Sequence, residues 1–304
     1  MKILGTGLSG LVGSRFVELF DSVYDFSYIN LENGIDILDK KSVFDAISSS
    51  DAKIVIHMAA KTNVDGCELD KEKDKKALES NDFTEIVNDK TAWAVNVLGT
   101  NNIIEACKKN NKKIIYISTD FVFDGTKKSY SEDDEPNPLN WYAKTKYEGE
   151  KLIQNSGLDF IILRTAYPYR AFFERGDIVR SLIDRLEKRE NLKMITDHIM
   201  KPTFIDDIAN ALDVLIQKDE SGIFHVVGSQ SLTPYNMSIK IAKEFSLDDS
   251  LIGETTRSEY FKGKAPRPFC LNLKNDKIAK LGIEMSSFDK GLKEIKNQLE
   301  KIKI

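Results

Sequence analysis

The chain has 304 residues, 41% of them hydrophobic and 30% charged, with a formal net charge of -4 and a pI near 5.6. This is the composition of a folded globular protein with enough apolar residues for one large core or two modest ones, and it excludes an intrinsically disordered chain. The balance of charge supplies no general basic field, so neither nucleic acid nor an anionic membrane surface is expected as a partner.

Met1-Lys2-Ile3-Leu4-Gly5 enters a glycine-rich turn with no apolar leader, and no later stretch is long and apolar enough to span a bilayer, so a cytoplasmic location is expected. Cys67, Cys107 and Cys270 stand far apart and fit neither a disulfide framework nor a metal-ligand spacing, and buried reduced thiols are expected. His57, His198 and His225 are equally scattered; two lie in apolar strand-like runs, where a satisfied core histidine is the simpler reading, and no metal site is expected.

Residues 1–4 predict a short apolar strand, and Gly7-Leu8-Ser9-Gly10-Leu11-Val12-Gly13 follows it into a helix bearing Phe16, Val17, Leu19 and Phe20. Glycines placed there permit a tight turn, let the backbone approach a pyrophosphate at a helix N-terminus, and let the helix pack close on the strand. Residues 24–30 predict a second strand, ending in Ile29-Asn30-Leu31-Glu32, a sequence that leaves NAD and NADP both open. Asn33-Gly34 then turns into residues 35–39, read as a short edge strand whose Asp36 can accept from an adenine amine, with Asp39 compatible as the cap of a helix over 40–48.

Residues 53–60 predict a third buried strand, ending in the small pair Ala59-Ala60. Residues 69–90 carry charges of mixed sign with few apolar positions, which predicts a solvated helix-and-loop excursion rather than a binding patch. Residues 91–110 show helical periodicity through Trp93, Val97, Ile103, Ile104 and Ala106. Asn96 falls mid-helix, open between an exposed polar residue and a brace for the site.

Residues 113–146 are the centre of the pattern. A buried strand, Ile114-Ile115-Tyr116-Ile117, ends in Ser118-Thr119-Asp120, and beyond a polar loop a helix opens at Tyr142-Ala143-Lys144-Thr145-Lys146. A hydroxyl at a strand end beside a tyrosine at a helix start is a means of holding a carbonyl oxygen between two donors. Tyr-x-x-x-Lys occurs three times, at Tyr142/Lys146, Tyr147/Lys151 and Tyr260/Lys264, so context and not spacing selects Tyr142. A lysine cation one turn away is expected to lower the tyrosine pKa from its ordinary value of about 10.

Residues 158–164 predict a further strand with the exit Thr165-Ala166-Tyr167-Pro168-Tyr169. The alternation of strand and helix implies an α/β fold of Rossmann type, a doubly wound parallel sheet with its ligand at the carboxyl ends of the strands. The rhythm then loosens. Residues 1–168 are read as the dinucleotide-binding domain and 169–304 mainly as a smaller C-terminal α/β substrate-binding subdomain, with some segments returning to the sheet.

Together these residues resemble the extended short-chain dehydrogenase/reductase superfamily, and within it the dTDP-4-dehydrorhamnose reductase family. The likeness runs through Gly7-x-x-Gly10-x-x-Gly13, Ala59-Ala60-Lys61-Thr62-Asn63-Val64-Asp65, residues 118–125, residues 138–146, Arg164-Thr165, Pro202-Thr203 and Arg267-Pro268. It implies that NADPH or NADH delivers hydride to the C4 ketone of a nucleotide-linked 4-keto-6-deoxy sugar. By the same resemblance Tyr142 donates the proton, Lys146 holds the nicotinamide ribose, and Thr119 binds the carbonyl oxygen. The cofactor would lie against Gly7, Ser9, Gly10, Leu11, Val12, Gly13, Asp36, Ile37, Ala59, Ala60, Thr62, Asn96, Ser118 and Thr165 besides Tyr142 and Lys146. The substrate would lie against Val64, Asp65, Phe121, Phe123, Tyr167 and Arg267. Asp120 is followed by Phe121 and not by the glutamate of the related dehydratases, which disfavours dehydration. The chain departs from the family at Asp197-His198-Ile199-Met200, where Gln and Gly are usual, and at Leu271. An epimerase and a catalytically silent NADP-binding regulatory subunit are the other functions this fold accommodates. Dimers are common in the superfamily, and no stretch identifies an interface.

Overall fold

The computed structural model describes residues 1–302. In its first half β1 (Lys2–Thr6), α1 (Leu11–Phe20), β2 (Asp25–Ile29), α2 (Lys40–Ser49), β3 (Ile54–His57), α3 (Val64–Ser80), α4 (Thr84–Asn88), α5 (Thr100–Lys109), β4 (Lys113–Thr119), α6 (Trp141–Gln154) and β5 (Phe160–Thr165) follow one another. The second half holds β6 (Pro168–Tyr169), α7 (Ile178–Glu187), β7 (Leu192–Ile195), β8 (Thr203–Phe204), α8 (Ile205–Gln217), β9 (Gly222–His225), α9 (Pro234–Glu244), β10 (Ile252–Thr255), α10 (Arg257–Tyr260), α11 (Asp276–Ala279) and α12 (Phe288–Ile302).

Six strands form one sheet in the order β2-β1-β3-β4-β5-β9, with β1 parallel to β2 and β3, and β3 parallel to β4. Every residue of β3 is buried, as a run covered on both faces requires. The α/β reading of the sequence is borne out.

The chain divides into two compact units, Met1–Val122, Pro136–Leu163 and Asp219–Ile223 in one, and Phe123–Glu135, Arg164–Lys218 and Phe224–Ile304 in the other. A single boundary after residue 168 therefore does not describe the path. The excursion after β4 belongs to the second unit because its backbone pairs there: Tyr130 N–H donates to Asn272 O at 3.0 Å, and Lys274 N–H to Tyr130 O at 2.8 Å. The first unit's core joins Leu4, Val43, Val55, Ile103, Ile114 and Ile162, and the second unit's joins Val179, Leu182, Met237, Ile241, Leu292 and Ile295.

Four expectations are corrected. Residues 35–39 form no strand: Asp36 Oδ1 accepts from Leu38 N–H at 3.0 Å, and Asn102 Nδ2 donates to Ile37 O at 3.0 Å, so side chains take the place of a ladder. Residues 69–90 are largely helical and bury Asp74 and Ala77, so the segment is not simply solvated. Cys270 is only half-buried, unlike Cys67 and Cys107. His57 is a satisfied core histidine, whereas His225, equally buried, meets no hydrogen-bond partner at either ring nitrogen among the described residues. Burial lowers both imidazoles to about 3, which keeps them neutral.

Candidate active site

Gly7 has a φ of +68°, and a Cβ there would lie 2.6 Å from Ala59 N. A Cβ on Gly13 would lie 2.5 Å from Gly7 O and from Leu8 Cα, so the turn and the first turn of α1 nest only if both residues are glycine. Gly10 is the N-cap of α1 and supplies no side-chain cap. The result is an N-terminus with bare backbone against Ala59, which fits an anionic diphosphate. Ser9, Leu11 and Val12 lie in this turn and the start of α1, and Ala60 and Thr62 continue from the exit of β3.

A chain of hydrogen bonds ties that turn to the helix carrying Tyr142. Thr6 Oγ1 accepts from Ala59 N–H at 3.1 Å and meets His57 Nδ1 at 2.6 Å; His57 Nε2 meets Thr100 Oγ1 at 3.0 Å. Thr100 Oγ1 donates to Asn96 O at 2.7 Å, which leaves it to accept from His57 Nε2–H and gives Nδ1 the acceptor role toward the Thr6 hydroxyl. Asn96 Nδ2 donates to Thr145 Oγ1 at 2.9 Å, and Thr145 Oγ1 donates to Tyr142 O at 2.8 Å. Asn96 also clamps Lys61, accepting from its N–H at 2.8 Å and donating to its carbonyl at 3.0 Å. Its amide donors are thus consumed by protein, so the side chain expected at the cofactor is instead a brace. A π-helical stretch, Ala94–Gly99, points it inward.

Thr119 closes β4, and Tyr142 stands on the first turn of α6, where the Thr119 hydroxyl acts on its phenol. Burial holds Tyr142 well above the ordinary tyrosine pKa, with the Thr119 hydrogen bond opposing and Asp120 and Cys67 adding to the rise. The sequence expectation was the reverse. The reason is that the Lys146 ammonium sits 3.9 Å from the centroid of the Tyr116 ring, where burial lowers it to about 7 against the attraction of Glu150. Phe121 lies edge-on to Tyr142 at 6.4 Å. Asp36 pairs with Lys90 at 2.8 Å, Ile37 is buried, and Ser118 is buried with its Oγ unpartnered among the described residues. Val64 and Asp65 are half-buried at the start of α3, which Asn63 caps.

The acids of the charged segment are the functional residues that sequence reasoning missed. Glu68 Oε2 accepts from Trp141 N–H at 2.7 Å, placing a carboxylate on the N-terminus of α6. Asp74, fully buried, accepts from Trp141 Nε1 at 2.6 Å, Thr91 Oγ1 at 2.5 Å and Trp93 N–H at 3.1 Å. Asp70 accepts from Ala92 N–H at 2.8 Å and pairs with Lys61 at 2.7 Å. Their i, i+2, i+6 spacing on one helix was the available signal.

The second unit holds the remaining expected residues. Phe123 is fully buried, stacked on Tyr130 at 4.3 Å and edge-on to His225 at 5.6 Å, so it is a core residue and offers no surface to a substrate. Thr165 is buried with Oγ1 unpartnered among the described residues. Tyr167, at φ +41°, meets His198 Nε2 with its hydroxyl at 3.0 Å, and His198 Nδ1 meets Pro268 O at 2.9 Å. The Arg267 guanidinium lies 4.8 Å from the Phe261 ring centroid.

The model of one family, described as RmlD substrate binding domain, matches residues 1–301. The chain belongs to that family. The dTDP-4-dehydrorhamnose reductase of Aggregatibacter actinomycetemcomitans is 29% identical over 98% of this chain and 99% of its own length. Methionine adenosyltransferase 2 subunit beta of Xenopus tropicalis is 29% identical over 88% of this chain and 75% of its own. A crystal structure of dTDP-4-dehydrorhamnose reductase from Bacillus anthracis in complex with NADP superposes with a TM-score of 0.85 at 26% identity, covering 98% of this chain and 99% of that one. These matches bear out the resemblance to the dTDP-4-dehydrorhamnose reductase family. Within the RmlD family, His198 in the departure at 197–200 is the partner of Tyr167, so the change is linked to a contact inside the second unit.

Gly13→Ala is expected to displace the turn, costing about 1–3 kcal/mol in stability and weakening dinucleotide binding by about tenfold or more. Thermal melting and a fluorescence titration read both; unchanged affinity would remove the turn from the binding site. Asp74→Ala leaves the Trp141 indole and the Thr91 hydroxyl without their acceptor, at an expected cost of about 1–3 kcal/mol. The melting temperature should fall and tryptophan emission should change, whereas a surface role for Asp74 would leave both as they are.

Proposed function

We propose that this protein is an NAD(P)H-dependent reductase of the C4 ketone of a nucleotide-linked 4-keto-6-deoxy sugar. The observation that carries the reading is the convergence of Thr119, at the end of β4, with Tyr142, on the first turn of α6, whose phenol the Thr119 hydroxyl acts on and burial keeps protonated. A ketone oxygen placed there meets two donors, and the one with the acidic proton to give is Tyr142. The glycine turn fits the diphosphate of a dinucleotide because Gly7 and Gly13, where added Cβ atoms would strike Ala59 N and Gly7 O, let the turn close tightly and leave the N-terminus of α1 as bare backbone. The nicotinamide, when bound, supplies the hydride.

Each remaining residue has a task in this scheme. Thr119 orients the carbonyl, Tyr142 protonates the oxygen as C4 receives hydride, and Lys146 holds the nicotinamide ribose. Phe121 closes the apolar side of Tyr142 and contributes no second acid, which separates the site from one that eliminates water. The family relatives named as dTDP-4-dehydrorhamnose reductases support the substrate class, and the NADP complex of the Bacillus anthracis protein supports the cofactor.

Tyr142→Phe is expected to lower turnover by about 10²–10⁴-fold while dinucleotide affinity persists, measured by NADPH oxidation on a dTDP-4-keto-6-deoxy sugar made in situ and by fluorescence titration. Equal turnover in the variant would sink the assignment. Interconversion of sugars by the wild type with no net NAD(P)H consumption would indicate an epimerase instead.

A further inference from the structure

Asp120 opens the short 3-10 turn, Asp120–Val122, directly after Thr119, and is 2% exposed. Its Oδ1 is 3.2 Å from Thr119 Oγ1, and its Oδ2 has no hydrogen-bond partner among the described residues. Thr119 Oγ1 donates to Asp120 Oδ1 and accepts from Phe121 N–H at 3.2 Å, and the same hydroxyl acts on the Tyr142 phenol. A buried carboxylate with an orphaned oxygen is costly in its charged form, and protonation removes that cost.

We infer that Asp120 is the proton reservoir of this site, recharging Tyr142 through the hydroxyl of Thr119. The inference rests on the reductase reading and adds to it the origin of the proton. As C4 takes the hydride, the ketone oxygen takes the phenolic proton and Tyr142 becomes a phenolate. The Thr119 O–H bond then breaks toward the phenolate, while the Asp120 O–H bond breaks and its proton lands on Thr119 Oγ1. The sum is ketone, hydride and one proton giving the alcohol, with Asp120 left as a carboxylate that recovers a proton from solvent before the next turnover.

The energetics run in the required direction. Burial pushes the Asp120 carboxyl up to about 7, against the hydrogen bond from Thr119 and the backbone amides of Asp120 and Phe121. Tyr142 is raised above the tyrosine value of about 10, so transfer from Asp120 to the phenolate is downhill. The titratable groups around the chain are Tyr142, on which Asp120 acts from beside α6, and Cys67 of α3, which also faces the phenol. Lys146, one turn further along α6, rests against Tyr116 and is not among the groups that shift Asp120 or Tyr142.

Two readouts test this, one of them independent of turnover. Infrared titration of the protein without cofactor should show a protonated-carboxyl band, absent from Asp120→Asn, that disappears with a midpoint near 7. Thr119→Val removes a donor to the carboxylate and should move that midpoint up. A midpoint in the ordinary carboxylate range, about 4, or no effect of Thr119→Val, would overturn the inference. In NADPH oxidation with the keto sugar, wild-type kcat should fall about tenfold per pH unit above the midpoint. Asp120→Asn should be slower and flat across the same range, with unchanged dinucleotide affinity. A variant that keeps the wild-type profile would also overturn it. Absence of any oxidation by the wild type, with the infrared titration as expected, would remove the reductase reading and leave only the Asp120–Thr119 part of the proton chain supported.

Discussion

The structure of the site depends on one continuous line of hydrogen bonds, from Ala59 and Thr6 through His57, Thr100 and Asn96 to Thr145 and the backbone of Tyr142. Each member is buried or half-buried, so each unmade bond would leave a desolvated polar group unsatisfied. The line has a single consistent assignment of donors, and it requires a neutral His57, which burial provides. Through it the glycine turn, the exit of β3 and the first turn of α6 are held in fixed register.

The same low-dielectric setting explains the protonation of the working groups. Tyr142 and Asp120 are both shifted toward their neutral forms, and Lys146 is shifted toward its own. A site that keeps its acids protonated near neutrality is suited to giving protons. The lysine at the motif spacing does not act on the resting phenol because the Tyr116 ring holds its ammonium. Behind α6 the carboxylates of Glu68 and Asp74 fix Trp141, the residue before Tyr142, so the charged face of α3 belongs to the support of that helix start.

Most of the framework was legible because it follows from local chemistry. The glycine turn, the cap Asp39, the buried runs of β3 and β4 and the helix opening at Tyr142 each depend on residues within a few positions of one another. What was missed depends on distant partners. Asn96 is turned inward by a π-helical register that periodicity does not report. Asp74 reads as one more charge in a mixed run until Trp141, far along the chain, supplies its donor. The β7–β10 pairing joins segments separated by β8, α8, β9 and α9, and residues 35–39 lost their strand to the side chains of Asp36 and Asn102. Phe123 was placed at the substrate by its neighbours in sequence, yet it packs on Tyr130.

The central claim is that this protein moves a hydride from a reduced nicotinamide to C4 of a nucleotide-linked keto sugar. The most direct measurement is turnover with NADPH or NADH carrying deuterium at the transferring position, followed by mass and NMR analysis of the sugar. Reductase chemistry predicts one deuterium at C4 of the product and stoichiometric oxidised dinucleotide. Product without the label, or sugar conversion with the dinucleotide unchanged, would contradict it.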